Sequence, residues 1–216
     1  MSTTELFQYI VVIPKIHAKM VPRRNYLLHP YYIIITLVIA GITALFLGFT
    51  GAYMYNRVQQ GVAPVHIPPL FYFNSILIVA SSITLIYAKK RYESDDTPMF
   101  KVALWLTLLL TIFFLIMQIQ AWHQLYAANI SLTSSTLASY MYLISGLHFL
   151  HLVAGIPFLV YFIYSSHMRM KDPVTVLIYF SDPDKKRELN LLNIYWHFLD
   201  GLWIYLILFF LINYMI

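Results

Sequence analysis

Five stretches of this chain, about residues 31–55, 70–88, 100–122, 138–164 and 191–215, are each apolar for long enough to cross a bilayer. Roughly 20 apolar residues at ~1.5 Å rise cover the ~30 Å hydrocarbon core. In that solvent every backbone N–H and C=O needs an internal partner, which makes the helix the natural form for such runs. The expected fold is all-α, an integral membrane bundle of five transmembrane helices over residues 31–216, preceded by an arm over residues 1–30. Composition agrees: with 60% hydrophobic and 11% charged residues in 216, too little polar sequence remains for a sizeable soluble domain.

The arm carries a short apolar patch from Leu6 to Ile13, ended by Pro14 and followed by Lys15, Lys19, Arg23 and Arg24. A secretory signal places its positive charge before the apolar core, so the patch reads as part of a cytoplasmic arm, partly on the membrane surface. The net charge of +5 does not point to nucleic acid. Thirteen of the 14 basic residues fall in the arm and in the second and fourth loops, and Arg57 alone falls in the first. The positive-inside rule then puts the N-terminus in the cytoplasm and the C-terminus in the periplasm, and an odd number of crossings requires the same split. The chain has no cysteine, which excludes disulfides, thiolate zinc, iron–sulfur clusters and a cysteine-rich dinuclear copper centre.

The polar residues inside the crossings carry the rest of the reading. In the first, Ala40, Ala44, Gly48 and Ala52 form a stripe of small residues that lets another helix approach closely. The second carries Asn74, Ser81 and Thr84 on one side, and the third Thr107, Thr111, Gln118 and Trp122, all suited to interhelical hydrogen bonds. In the fourth, Ser145, His148, His151 and Gly155 share a face, and Gly155 with Pro157 marks a place of close approach or bending. In the last, Trp196, His197, Asp200 and Trp203 share a face, and Asp200 lies ~15 Å deep, where an unpartnered charge costs ~2.5 kcal/mol or more. Asp200 is therefore expected to face protein. The plainer reading of His148, His151, His197 and Asp200 is a structural polar knot, with Asp200 paired to His148 or His151 and His197 partnered on the cytoplasmic half. The alternative is a proton-carrying or ligand-binding role.

The phrase Tyr195-Trp196-His197-Phe198-Leu199-Asp200, followed by Trp203 and an apolar aromatic run, resembles the closing helix of subunit III of the haem-copper oxidases. Ser145-Gly146-Leu147-His148-Phe149-Leu150-His151 is similar to that family's threonine-glycine-phenylalanine/leucine-histidine-glycine-leucine-histidine phrase, with Ser145 and Phe149 as departures. Asn74 with Ala80-Ser81-Ser82, and Gln118 with Ala121-Trp122-His123-Gln124-Leu125, extend the likeness to nearly all of the chain from Tyr31, in the short five-helix form. Ile42 stands at or next to the place where many members carry a buried glutamate, and the first crossing has no acid at all.

The resemblance implies a non-catalytic subunit of a proton-pumping terminal oxidase that reduces O2 to water. Such a chain stabilises the catalytic subunit I beside subunit II, organises phospholipid and supports sustained proton uptake. It implies no cofactor in this chain, haem and copper in the partner subunits, bound phospholipid, and a multi-pass place in the inner (plasma) membrane of a bacterium, compatible with a larger respiratory supercomplex. A cytochrome c oxidase is the expected complex, with quinol left open as electron donor. Two rivals compete with this. A membrane cytochrome b would hold haem between His148 or His151 and His197, whereas a transporter is disfavoured by the lack of an inverted repeat or a broken helix pair.

Overall fold

The computed structural model describes residues 30–61 and 64–215, so the expected arm lies outside the described residues except for Pro30. Among the described residues the chain is all-helical: α1 (Pro30–Gln60), α2 (Pro69–Glu93), α3 (Thr97–Ala127), α4 (Thr136–Arg169), α5 (Pro173–Ser181) and α6 (Pro183–Met215). Five of these, all but α5, are long and apolar enough to cross a membrane.

Each long helix outruns the apolar stretch that announced it. α2 continues through Lys89, Lys90 and Arg91, and α6 starts at Pro183 instead of near residue 191. Hydropathy marks only the part immersed in hydrocarbon, while backbone bonding continues through polar residues beyond it. The same effect corrects the loop expected over residues 165–188, which instead holds the end of α4, all of α5 and the first turns of α6. Helix α5 starts at Pro173, a residue suited to the first helical position. The Thr175 hydroxyl accepts from the Asp172 N–H at 3.1 Å and donates to the Asp172 carbonyl at 2.8 Å, closing the first turn.

The turns after α2 and α3 are built alike. Asp95 and Asn129 adopt φ of 56° and 60°, a left-handed conformation that Asp and Asn tolerate. Each lets the next N–H reach back five residues: Asp96 N–H to the Arg91 carbonyl at 3.0 Å, and Ile130 N–H to the Leu125 carbonyl at 2.9 Å. These are Schellman closures that satisfy the last helical carbonyls.

Helices α2 and α3 form the closest antiparallel pair, α6 packs on α2, and α4 packs on both α3 and α6. Helix α1 approaches differently, through long side chains and with little close backbone contact. Tyr53 sets its ring edge-on against Phe209 and Phe210 of α6 and Tyr140 of α4, and Phe46 packs on His151. Helix α6 therefore touches α1, α2 and α4, and the residues Trp196, Trp203 and Leu206 that it turns inward are at most 1% exposed.

Candidate functional site

The interior polar groups act mainly as crossbars between helices. Asn74 Nδ2 donates to Gln118 Oε1 at 2.8 Å, and the Thr84 and Thr107 hydroxyls lie 2.8 Å apart, tying α2 to α3. Helix α6 adds two indole donors on α2, Trp196 Nε1 to Ser81 Oγ at 3.2 Å and Trp203 Nε1 to Ser75 Oγ at 3.2 Å. Trp122 Nε1 donates to Ser145 Oγ at 3.0 Å between α3 and α4, and the Tyr195 hydroxyl donates to the His151 carbonyl at 2.9 Å between α6 and α4. In apolar surroundings each bond is worth on average ~0.6 kcal/mol, so their sum fixes register more than any one of them fixes stability.

No hydrogen bond among the described residues joins the four residues expected to form one knot to one another. His197 Nδ1 lies 2.6 Å from the Ser82 hydroxyl of α2, which gives it a partner on a neighbouring helix. His151 Nδ1 donates to the Leu147 carbonyl of its own helix at 2.7 Å. His148 is fully buried, with ring centroids 5.0 Å from Trp203 and 6.0 Å from Phe114, and neither ring nitrogen has a hydrogen-bond partner among the described residues. Asp200 is 4% exposed, and its two carboxylate oxygens likewise have none. The Ser82 hydroxyl, 2.6 Å from His197 Nδ1, also stands near Asp200. The expected pairing of Asp200 with His148 or His151 is therefore not made: the face of His148 is taken by Trp203, one turn beyond Asp200 on the same helix.

The small-residue stripe does not face another described helix. Helix α1 turns Ile42, Phe46, Thr50 and Tyr53 inward, while Ala40, Ala44 and Gly48 are exposed and Ala52 is half-buried. A Cβ on Gly48 would meet nothing within 4 Å, so no described helix uses the stripe for close approach. Ala44, Gly48, Ala52 and Tyr140 instead line an open groove between α1 and α4. Bulky Phe46 and Tyr53 hold the α1 backbone away from the bundle, and the groove follows from that spacing. Ile42 is buried in the apolar core.

Gly155 is the glycine that close packing requires. A Cβ there would stand 3.0 Å from Tyr195 Cε1 and 3.1 Å from Trp196 Cζ3, so α4 and α6 meet where α6 turns two large rings toward it. Gly146, on the same helix, has open space around it.

Residues missed by sequence reasoning are mostly the hydroxyl acceptors and the ties of α1. The Thr50 hydroxyl lies 2.9 Å from that of Tyr205, Arg57 donates to Asn213 Oδ1 at 3.0 Å, and Asn56 Nδ2 donates to the Tyr140 hydroxyl at 3.3 Å. Lone Ser, Tyr and Asn residues give no spacing signal, because their partners lie on other helices.

A bundle of five apolar helices cross-tied by indole, amide and hydroxyl groups defines a multi-pass membrane protein. The family model described as "Cytochrome c oxidase subunit III" matches residues 51–215. The chain belongs to the cytochrome c oxidase subunit III family. It is 26% identical over 184 residues to the cytochrome c oxidase subunit 3 of Bacillus sp. (strain PS3), covering 79% of each chain. It is 24% identical over 172 residues to that of Gallus gallus and 28% identical over 161 residues to a probable one of Rickettsia prowazekii, covering 74% and 70% of this chain. The chain spans about three fifths of the Gallus protein (61%) and about half of the Rickettsia one (53%). The cytochrome b reading is not supported: the family is a different one, His197 Nδ1 is engaged by Ser82, and His148 is covered by Trp203 and Phe114.

Proposed function

We propose that this chain is the subunit III of a proton-pumping haem-copper terminal oxidase that reduces O2 to water. It packs against catalytic subunit I in a complex with subunit II, stabilises subunit I, organises phospholipid and supports sustained proton uptake. The single observation that carries this reading is the family match over residues 51–215, which takes in the four helices α2, α3, α4 and α6 and the crossbars between them. The exposed stripe Ala40, Ala44 and Gly48 supports it too, since small residues facing outward suit close contact with another chain or with acyl tails.

The reading places the chain in a bacterial plasma membrane, N-terminus inside, with haem and copper in the partner subunits and none here. The polar residues of the core then serve register between helices, not electron transfer. Purification of the native complex through an affinity tag on this chain tests the proposal. Copurification of subunits I and II with oxidase activity is the expected result, together with faster loss of activity during turnover in a complex lacking this chain. A chain that purifies alone with a Soret band refutes it.

A further inference from the structure

The end of the bundle where α4 stops and α6 starts carries a feature that register between helices does not explain. Helix α5 is bracketed by two membrane-crossing helices, so it lies at the membrane surface. It is held there from beneath: the Tyr92 hydroxyl donates to the Tyr179 carbonyl at 2.9 Å, and Phe180 packs edge-on against Tyr92 and Phe100. Its other face is bare. Val174, Leu177 and Ile178, at helical spacing, are 69%, 65% and 64% exposed. An apolar helix face at a membrane surface belongs in the boundary between headgroups and acyl chains.

Beside that face is an open cavity of about 270 Å³ lined by Arg169, Lys171, Asp172, Asp182, Ile178 and Tyr179, among others. Its four charged groups are of both signs, and among the described residues none of them is in an ion pair. At the same end Arg91 pairs with Asp96, Lys185 with Glu188, Lys186 with Glu93 and Arg187 with Asp184, while Lys89, Lys90 and Asp95, away from the cavity, are in none of these pairs. Lys101 donates to the carbonyl of Met170, the residue between Arg169 and Lys171, at 3.2 Å. Asp182 Oδ1 accepts from the Asp184 N–H at 2.8 Å, which leaves its second oxygen available.

We propose that this cavity binds the headgroup of a phosphatidylethanolamine, with its phosphate on Arg169 and Lys171, its ammonium on Asp172 and Asp182, and its acyl chains along Leu177 and Ile178. Two cations and two carboxylates lining one cavity complement a zwitterion that carries both a phosphate and a hydrogen-bond-donating amine. A trimethylated choline cannot donate to the carboxylates, and a glycerol headgroup brings no positive charge to them. The inference deepens the lipid-organising part of the proposed function and rests on that part alone.

Native mass spectrometry of the full chain, purified with its partners, titrated with phosphatidylethanolamine, phosphatidylcholine and phosphatidylglycerol, tests it. The expected result is a preference for the ethanolamine lipid over the choline lipid of about 10-fold, the effect of charge-assisted hydrogen bonds. Arg169→Gln with Lys171→Gln weakens all three lipids by about 30-fold. Asp172→Asn with Asp182→Asn erases the preference, and Lys89→Gln with Lys90→Gln, at the same end of the bundle, changes nothing. Equal binding of ethanolamine and choline lipids, or no effect of the cavity variants, overturns the site. Displacement of the lipid by soluble phosphoethanolamine at equal concentration also overturns it, because the apolar face then contributes nothing. Any of these outcomes alongside normal copurification of the other subunits leaves the proposed function standing.

Discussion

Gly155 offers a quantitative test of the packing between α4 and α6. Replacing a helix-interior glycine by alanine gains up to ~1 kcal/mol in backbone propensity. At Gly155 the new Cβ meets Tyr195 Cε1 at 3.0 Å and Trp196 Cζ3 at 3.1 Å, so both rings must give by a few tenths of an ångström. Neither ring is free to do so: Tyr195 is tied to the His151 carbonyl at 2.9 Å, and Trp196, 1% exposed, to Ser81 at 3.2 Å. Overpacking of this kind costs ~1–3 kcal/mol, so Gly155→Ala is expected to lose ~0–2 kcal/mol net. Gly155→Leu, whose extra atoms must enter the same two rings, is expected to lose more than ~3 kcal/mol and to abolish assembly. Gly146→Ala is the control: its Cβ would meet nothing within 4 Å, so only the propensity gain of up to ~1 kcal/mol remains. Thermal unfolding of the purified protein in one detergent, followed by tryptophan fluorescence, orders the three variants. A Gly155→Leu protein that melts with the wild type, or a Gly146→Ala protein that melts well below it, refutes the assigned contact.

Asp200→Asn is expected to be neutral or stabilising, since the carboxylate is buried with no hydrogen bond to lose and the amide carries no charge; a loss above ~2 kcal/mol in detergent unfolding would show a partner that the structure does not. Tyr92→Phe removes the donor to the buried Tyr179 carbonyl and should cost ~1–3 kcal/mol, read as easier proteolysis between α4 and α6. Burial holds the Tyr179 phenol above its ordinary value of 10.0, against smaller opposing pulls from Ser165 and Lys185. Its stabilising contribution is therefore complete below pH ~10 and is lost as pH rises beyond that. Tyr179→Phe should flatten the alkaline fall in melting temperature, and an unchanged profile counts against the buried phenol.

Much of the bundle was legible in the chain because lipid is a simple solvent. It demands a minimum apolar length and internal backbone pairing, and five such lengths can be counted. Gly155 was legible as a point of close approach, and Asn74, Ser81 and Thr84 as groups needing partners, since helical periodicity alone puts residues on a face. Helix α5 was not, because its nine residues are too few for a crossing and its apolar face is masked by flanking charges in any sliding average.

Periodicity says which residues share a face but not which neighbour that face meets. The stripe Ala40, Ala44, Gly48 and Ala52 has the spacing of a docking surface, yet Phe46 and Tyr53 on the other side of α1 are what reach the bundle. His148 and Asp200 are both buried polar groups, yet the ring of Trp203 takes the space against His148. The amino-acid sequence by itself determined the number of apolar crossing helices, the family and the need for buried polar groups to be housed. Tertiary packing decided the partners, because a hydrogen bond in lipid is worth little beside the volume of an indole or phenol ring, and the large rings choose their places first.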